Sequence, residues 1–248
     1  MKRFISLLIA DCRFQFRYGF YALYAFFSIF YVVLLRLLPG FTRDSARALL
    51  AFSDPAALGL FFMGAILLFE RGERVHPSLA VSPVRVFEYA LSKALSLSII
   101  SLAAGIGIIL ASGGRVGPWT VAGMALASML FSSVGLLIGS RAQSLNGYIL
   151  LTVPAELLLF VPAGLWFFEV FGDWALVHPG AAALNLVSAS PRYPTASFLS
   201  LGLWLALALV FALPAAGRML RGESPGADED ASASPEPIPV AIKPEGLE

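Results

Sequence analysis

The sequence predicts an all-α, polytopic membrane protein. It reads as six transmembrane helices, preceded by an interfacial amphipathic helix and with a partly re-entrant hairpin between spans 5 and 6. Three observations predict this class. Of the 248 residues, 58% are apolar and 13% charged, whereas soluble domains carry about 25% charged residues. Apolar stretches recur near the length of about 20 residues that crosses about 30 Å of hydrocarbon. The charges collect in the connections between those stretches. The net charge of +1 gives no sign of a nucleic-acid partner, because in such a chain the location of charge matters more than its sum. A single cysteine, Cys12, excludes a disulfide framework and a paired-cysteine metal or redox site.

Residues 1–17 form the interfacial helix. Lys2, Arg3, Ser6, Arg13 and Arg17 fall on one stripe of a helical wheel, and Phe4, Ile5, Leu8, Ile9, Cys12 and Phe16 on another. That pattern suits a helix lying in the membrane surface. A signal peptide fits less well: the apolar run 4–10 is short, no A-x-A site follows, and Asp11 rather than a small residue precedes Cys12.

The membrane core, residues 18–217, holds the spans at 18–38, 55–69, 90–111, 119–139, 148–168 and 196–217. The second is short. It could lengthen backwards through 49–52 or sit where the bilayer thins. Span 1 is crowded with Phe20, Tyr21, Tyr24, Phe26, Phe27, Phe30 and Tyr31. Spans 3 and 4 carry small-residue stripes, Ala90–Ala94–Ser98–Ser101–Gly105 and Gly123–Ala127 with Ser132, Gly135 and Gly139. Such stripes let helices approach closely inside one chain. Between spans 5 and 6, the apolar run 181–187 is too short to cross and reads as re-entrant, which requires protein or water to satisfy its backbone. His178 has no second ligand at metal spacing and reads as a turn or cap residue.

With the N-terminus inside, the inner segments hold twelve Lys and Arg and the outer ones hold five, Arg36, Arg43, Arg47, Arg115 and Arg192. The positive-inside rule then places both termini in the cytoplasm. Residues 218–248 turn acidic and proline-rich without an apolar period, the composition of a disordered tail.

Glu156 lies in the middle of span 5. A carboxylate there costs about 2.5–3.5 kcal/mol on insertion scales and marks a substrate-path or gating group, or a glutamate that holds two helices together. Pro154 and Pro162 flank it, so a bend or break is expected. No HExxH, no Ser, His and acid set, no GxxxxGK[ST] and no heme or flavin signature occurs. The chain therefore reads as non-catalytic, without a cofactor of its own.

The connection 70–89, ERGERVHPSLAVSPVRVFEY, is the unusual one. Glu70, Arg71, Glu73 and Arg74 can pair along a short helix leaving span 2. Ser82 is a candidate N-cap with Pro83 at the first helical position, and Arg85, Glu88 and Lys93 sit near the entry of span 3. A plain turn needs far fewer residues, so the loop reads as two short amphipathic pieces at the cytoplasmic surface, with a solvated turn carrying a positive-inside anchor as the alternative.

The same stretch carries the pattern L-x-x-S-P-V-x-x-x-E-Y-x-x-x-K, as Leu79, Ser82, Pro83, Val84, Glu88, Tyr89 and Lys93. With the surface helix, the six spans and the re-entrant region, it resembles permease subunits of type-2 ATP-binding-cassette exporters over residues 1–217. The nearest are the short drug-export permeases of the fluoroquinolone-export type. The resemblance implies that Glu70, Arg71, Glu73, Arg74, Ser82, Pro83 and Glu88 form a coupling loop seated on a soluble P-loop ATPase subunit, which holds ATP and Mg. It implies a second permease chain, identical or related, facing spans 1 and 5 around a substrate path in the cell membrane, with Glu156 close to that path. The cargo would be a hydrophobic or amphipathic drug or lipid-like molecule. Glu156 and the acidic tail have no counterpart in the family pattern. Two other readings stand beside it. One is a non-transport assembly or anchoring subunit. The other is an ion-coupled secondary transporter using Glu156, though the repeated halves usual there are missing.

Overall fold

The computed structural model describes residues 2–53, 58–73 and 84–221. Among them every regular element is helical: α1 (Lys2–Arg17), α2 (Phe20–Leu37), α3 (Gly40–Ser53), α4 (Gly59–Gly72), α5 (Val86–Ala111), α6 (Pro118–Gly139), α7 (Leu145–Phe167), a 3-10 turn (Asp173–Val177), α8 (Pro179–Val187) and α9 (Pro194–Leu220). The acidic tail lies outside the described residues apart from its first few positions.

Five of these helices are long and apolar enough to cross a membrane: α2, α5, α6, α7 and α9. The expected second span appears as α4, whose 14 residues reach about 21 Å at 1.5 Å per residue, short of the hydrocarbon thickness. The amphipathic α3 precedes it, an element that hydropathy alone does not single out.

α1 turns into α2 at Gly19, whose φ of 78° is left-handed. That conformation is open to glycine and strained for a residue with a Cβ. The turn lets a surface-type helix run into a span. Ile5, Ile9 and Phe16 of α1 are exposed, so the apolar edge of the wheel is not covered by this chain. A third face of α1, with Asp11, Phe14 and Gln15, packs on α5.

α6 is the central post, packed on α4, α5, α8 and α9. Its small residues sit where backbones come close. Gly123 faces Leu186, Gly135 faces the Leu60 carbonyl and Gly139 faces Leu67. The stripe read from the sequence is thus used within the chain.

The charges sort to the two ends of the bundle. At one end Arg36 and Arg47 donate to the carbonyls of Ala111 (2.8 Å) and Ser112 (2.9 Å), and so cap the end of α5 from α2 and α3. Arg43 and Arg115 lie there too, and Arg192 pairs with Glu169 at 3.0 Å. Arg71, Arg85, Lys93, Arg141 and Arg221 belong to the other end. This is the partition drawn by the inner and outer segments of the sequence.

Of the bend or break expected at Pro154 and Pro162, the break does not occur: α7 is one helix with both prolines inside. Pro162 leaves the Leu158 carbonyl without its intrahelical donor, and His178 hydrogen-bonds the Leu158 backbone from outside the helix. The other ring nitrogen, Nδ1, accepts from Gly180 N at 3.2 Å and caps α8. Burial holds this imidazole below its ordinary pKa, which keeps it neutral and able to donate at one nitrogen while accepting at the other. His178 is therefore the cap residue that the sequence suggested.

α8 is too short to cross, at nine residues, and all of them are buried. It is walled by α3, α6, α7 and α9. Asn185 ties it down: Nδ2 donates to Ser197 Oγ (2.8 Å) and to the Arg192 carbonyl, and Oδ1 accepts from Arg192 N (2.8 Å). A short helix with every polar group satisfied can sit deep in an apolar assembly.

Candidate functional site

The site forms where α1, α4 and α5 meet. Lys93, seven residues into α5, is 1% exposed. Its ammonium donates to Asp11 Oδ1 at 2.9 Å and to Glu70 Oε1. Burying one ion costs several kcal/mol, and the cost is offset only when partners and hydrogen bonds are complete. Here they are complete. Glu70 Oε2 accepts from the Tyr89 hydroxyl (2.8 Å), and Asp11 Oδ2 accepts from the Ser92 hydroxyl (2.7 Å). The ammonium also lies 4.7 Å from the centroid of the Tyr89 ring, a cation–π distance. One turn further along α5, Ser96 Oγ accepts from Gln15 Nε2 at 2.7 Å.

Local sequence makes this possible. Asp11 and Gln15 are four apart and share one face of α1, while Tyr89, Lys93 and Ser96 share one face of α5. Glu70 is in the last turn of α4, so the three chain segments present their charges at one level.

Around the triad, α4 is held on both flanks. The Arg71 guanidinium donates to the carbonyls of Gly139 (3.2 Å), Ser140 (3.0 Å) and Ala142. A cation on the last carbonyls of a helix suits the α6 C-terminus. Glu73 accepts from the Tyr18 hydroxyl at the start of α2. The Tyr18 ring stacks on Phe69 at 4.9 Å, and Phe20 and Tyr24 meet Phe62 edge-on at 4.9 and 5.1 Å. The last turn of α4 thus meets α5 through Glu70, the end of α6 through Arg71 and the α1–α2 turn through Phe69 on Tyr18, and it reaches α1 by way of Lys93.

The coupling residues read from the sequence separate into groups. Glu70 is 5% exposed and points inward to Lys93 and Tyr89. Arg71 is half-buried against α6. Glu70 therefore does not lie on the surface of this chain, where the charge alternation at 70–74 suggested it, because the interior of this end is itself charged and takes Glu70 in. Glu73 is exposed. Glu88 is half-buried, and its Oε2 accepts from Arg85 N at 3.0 Å at the start of α5. Arg74, Ser82 and Pro83 lie outside the described residues, as does Leu79.

Asp11, Gln15 and the pairing role of Lys93 were not recognised in the sequence as parts of a site. A signal for them exists. Asp11 interrupts the apolar run of α1, and Lys93 is a cation inside a span, which needs a partner.

Glu156 is remote from this cluster. It stands midway along α7, half-buried, with no hydrogen bond or ion pair among the described residues.

No protein-family model matches the chain, and no solved structure matches it. Curated relatives do. The chain is similar to fluoroquinolones export permease proteins from two strains of Mycobacterium tuberculosis, with 28% identity over 156 residues in each case. The match covers 62% of this chain, and the chain spans 65% of the length of those relatives.

Proposed function

We propose that this chain is the membrane-spanning permease subunit of an ATP-driven exporter that moves a hydrophobic or amphipathic cargo. The observation that carries the reading is the similarity to export permeases together with the packed junction at the last turn of α4. In this reading a soluble P-loop ATPase subunit binds ATP and Mg and seats against this chain at Glu73 and Glu88; Arg74, Ser82 and Pro83, the other coupling residues expected from the sequence, lie outside the described residues. Glu70 acts from beneath. Because it is bonded to Lys93 and Tyr89, a push on the end of α4 reaches α5 and, through Asp11, α1. Arg71 carries the same displacement to α6.

The end of the bundle with the triad is then the cytoplasmic one, where both termini lie, and 173–187 enters from the far side. α2 and α7 face a second permease chain across the substrate path. Phe26, Phe30 and Val33 of α2 and Leu150, Leu157 and Val161 of α7 are exposed apolar side chains, free to meet lipid or that partner. Ion coupling through Glu156 is the one rival with an observation in its favour, since that carboxylate has no hydrogen bond or ion pair among the described residues.

Transport separates the two. Inverted membrane vesicles containing the chain and its ATPase should accumulate a fluorescent amphipathic cation when ATP is supplied. Accumulation should persist when ionophores collapse the proton and sodium gradients. Uptake driven by an ion gradient without ATP contradicts the proposal.

A further inference from the structure

A groove separates α1 from the start of α5, outside the hydrophobic core. Phe4 and Ile5 of α1 line it together with Arg85, Phe87, Glu88 and Leu91 at the start of α5, and it holds about 330 Å³. Ile5 and Phe87 are exposed, so no described residue covers the apolar lining. On α1 the groove runs on into the exposed edge of Ile5, Ile9 and Phe16. Beside that edge on the wheel stand Arg13 and Arg17, both exposed. A helix with an apolar edge next to a basic one suits the surface of a membrane that carries anionic lipid.

The groove has a polar end and an apolar end. Leu91 is two residues from the buried Lys93, and Arg85 lies six residues further out, about 9 Å along α5. The interfacial layer of a bilayer is of similar depth, about 5–8 Å on each side. Arg85 donates to Glu88 Oε2 through its backbone N–H at 3.0 Å. Its guanidinium is exposed and makes no ion pair among the described residues. Glu88 is the carboxylate of the lining, and its hydrogen bond is spent on the start of α5, where the helix dipole favours a negative charge. The groove therefore presents a cation outermost and apolar side chains deeper, the order in which a phospholipid presents its phosphate and its acyl carbons.

We propose that the α1–α5 groove binds one anionic phospholipid. The phosphate meets the Arg85 guanidinium, and the first acyl carbons lie on Ile5, Phe87 and Leu91. Arg13 and Arg17 draw anionic lipid to this end of the bundle without touching the bound molecule. The lipid then joins α1 to α5 a turn or two beyond the Asp11–Lys93 ion pair. This inference rests on the membrane location of the chain and is independent of ATP coupling.

Native mass spectrometry of the full chain in mild detergent tests it, with dioleoylphosphatidylglycerol as the anionic probe and dioleoylphosphatidylcholine as the neutral-headgroup control. For the first lipid bound, the wild-type chain should hold phosphatidylglycerol about fivefold more tightly or better, the worth of one surface cation. Arg85→Gln should bring the two lipids within about twofold, and Arg85→Lys should keep most of the preference. Phe87→Ser should weaken both lipids alike, since it removes acyl contact and no charge. Arg85 and Phe87 are exposed, so these variants should elute as the wild-type folded peak. The proposal is overturned if the wild-type chain holds both lipids equally, or if Arg85→Gln keeps the preference. Arg85→Gln that keeps the preference but loses a co-purifying soluble protein would assign the groove to that protein instead.

Discussion

Lys93→Met is expected to destabilise the protein severely, by about 3–5 kcal/mol, the usual cost of removing one member of a buried ion pair. Methionine matches the length of the side chain and its apolar stem, so packing is largely kept. What is lost is the ammonium between Asp11 and Glu70. A buried carboxylate, Glu70, and a partly buried one, Asp11, then face each other across one site. They can relieve the repulsion only by taking up protons or by separating, which would detach α1 from α5. A melting curve in mild detergent, read by size-exclusion fluorescence, measures this. Neutralising all three groups together, with Asp11→Asn, Glu70→Gln and Lys93→Met, should recover most of the stability, because no unpaired charge is left inside. A single variant as stable as the triple one would mean that the triad is not ionised as described.

Gly180→Ala should be almost as damaging, at about 3 kcal/mol, the upper end of the overpacking range. A Cβ there would stand 2.0 Å from the Leu159 carbonyl oxygen. That oxygen belongs to the backbone of α7 and cannot swing aside as a side-chain tip would. The position also neighbours the contact by which His178 satisfies the Leu158 carbonyl, the group that Pro162 leaves without a donor. Pushing α8 away from α7 therefore costs the clash and the rescue of the proline at once. Gly202→Ala is the control, since nothing lies within 4 Å of a Cβ there and alanine favours the helix. It should melt at or above the wild-type temperature. Equal behaviour of the two variants would show that α8 is not seated against α7 as described.

Much of the architecture was legible in the sequence because it depends on local quantities. Apolar length located five spans, and the sorting of Lys and Arg between connections anticipated which charges share an end of the bundle. The glycines of α6 announced close packing, and His178, without a second ligand at metal spacing, read as a turn or cap residue. What was not legible depends on partners distant in the chain. Asp11 and Lys93 are 82 positions apart, and helical periodicity says which face is polar but not which helix it will meet. Glu70 looked like a surface charge for the same reason: its environment is set by Lys93 and Tyr89. The prolines of α7 predicted a break because the donor that prevents it comes from the following connection. The second span was read as short and α4 is short, but the amphipathic α3 before it lacks a continuous apolar run and was not singled out.

The measurement that most directly tests the central claim is co-purification of the chain from its host in mild detergent, with the bound proteins identified by mass and assayed for ATP hydrolysis. A soluble P-loop ATPase should accompany the wild-type chain and Glu156→Gln alike. Glu73→Lys, which reverses an exposed charge beside the proposed seat, should release it while the chain still elutes as a folded peak. If no ATPase accompanies the wild-type chain in several mild detergents, or if Glu73→Lys and Glu88→Lys together retain it undiminished, the coupling surface is not where it is placed here.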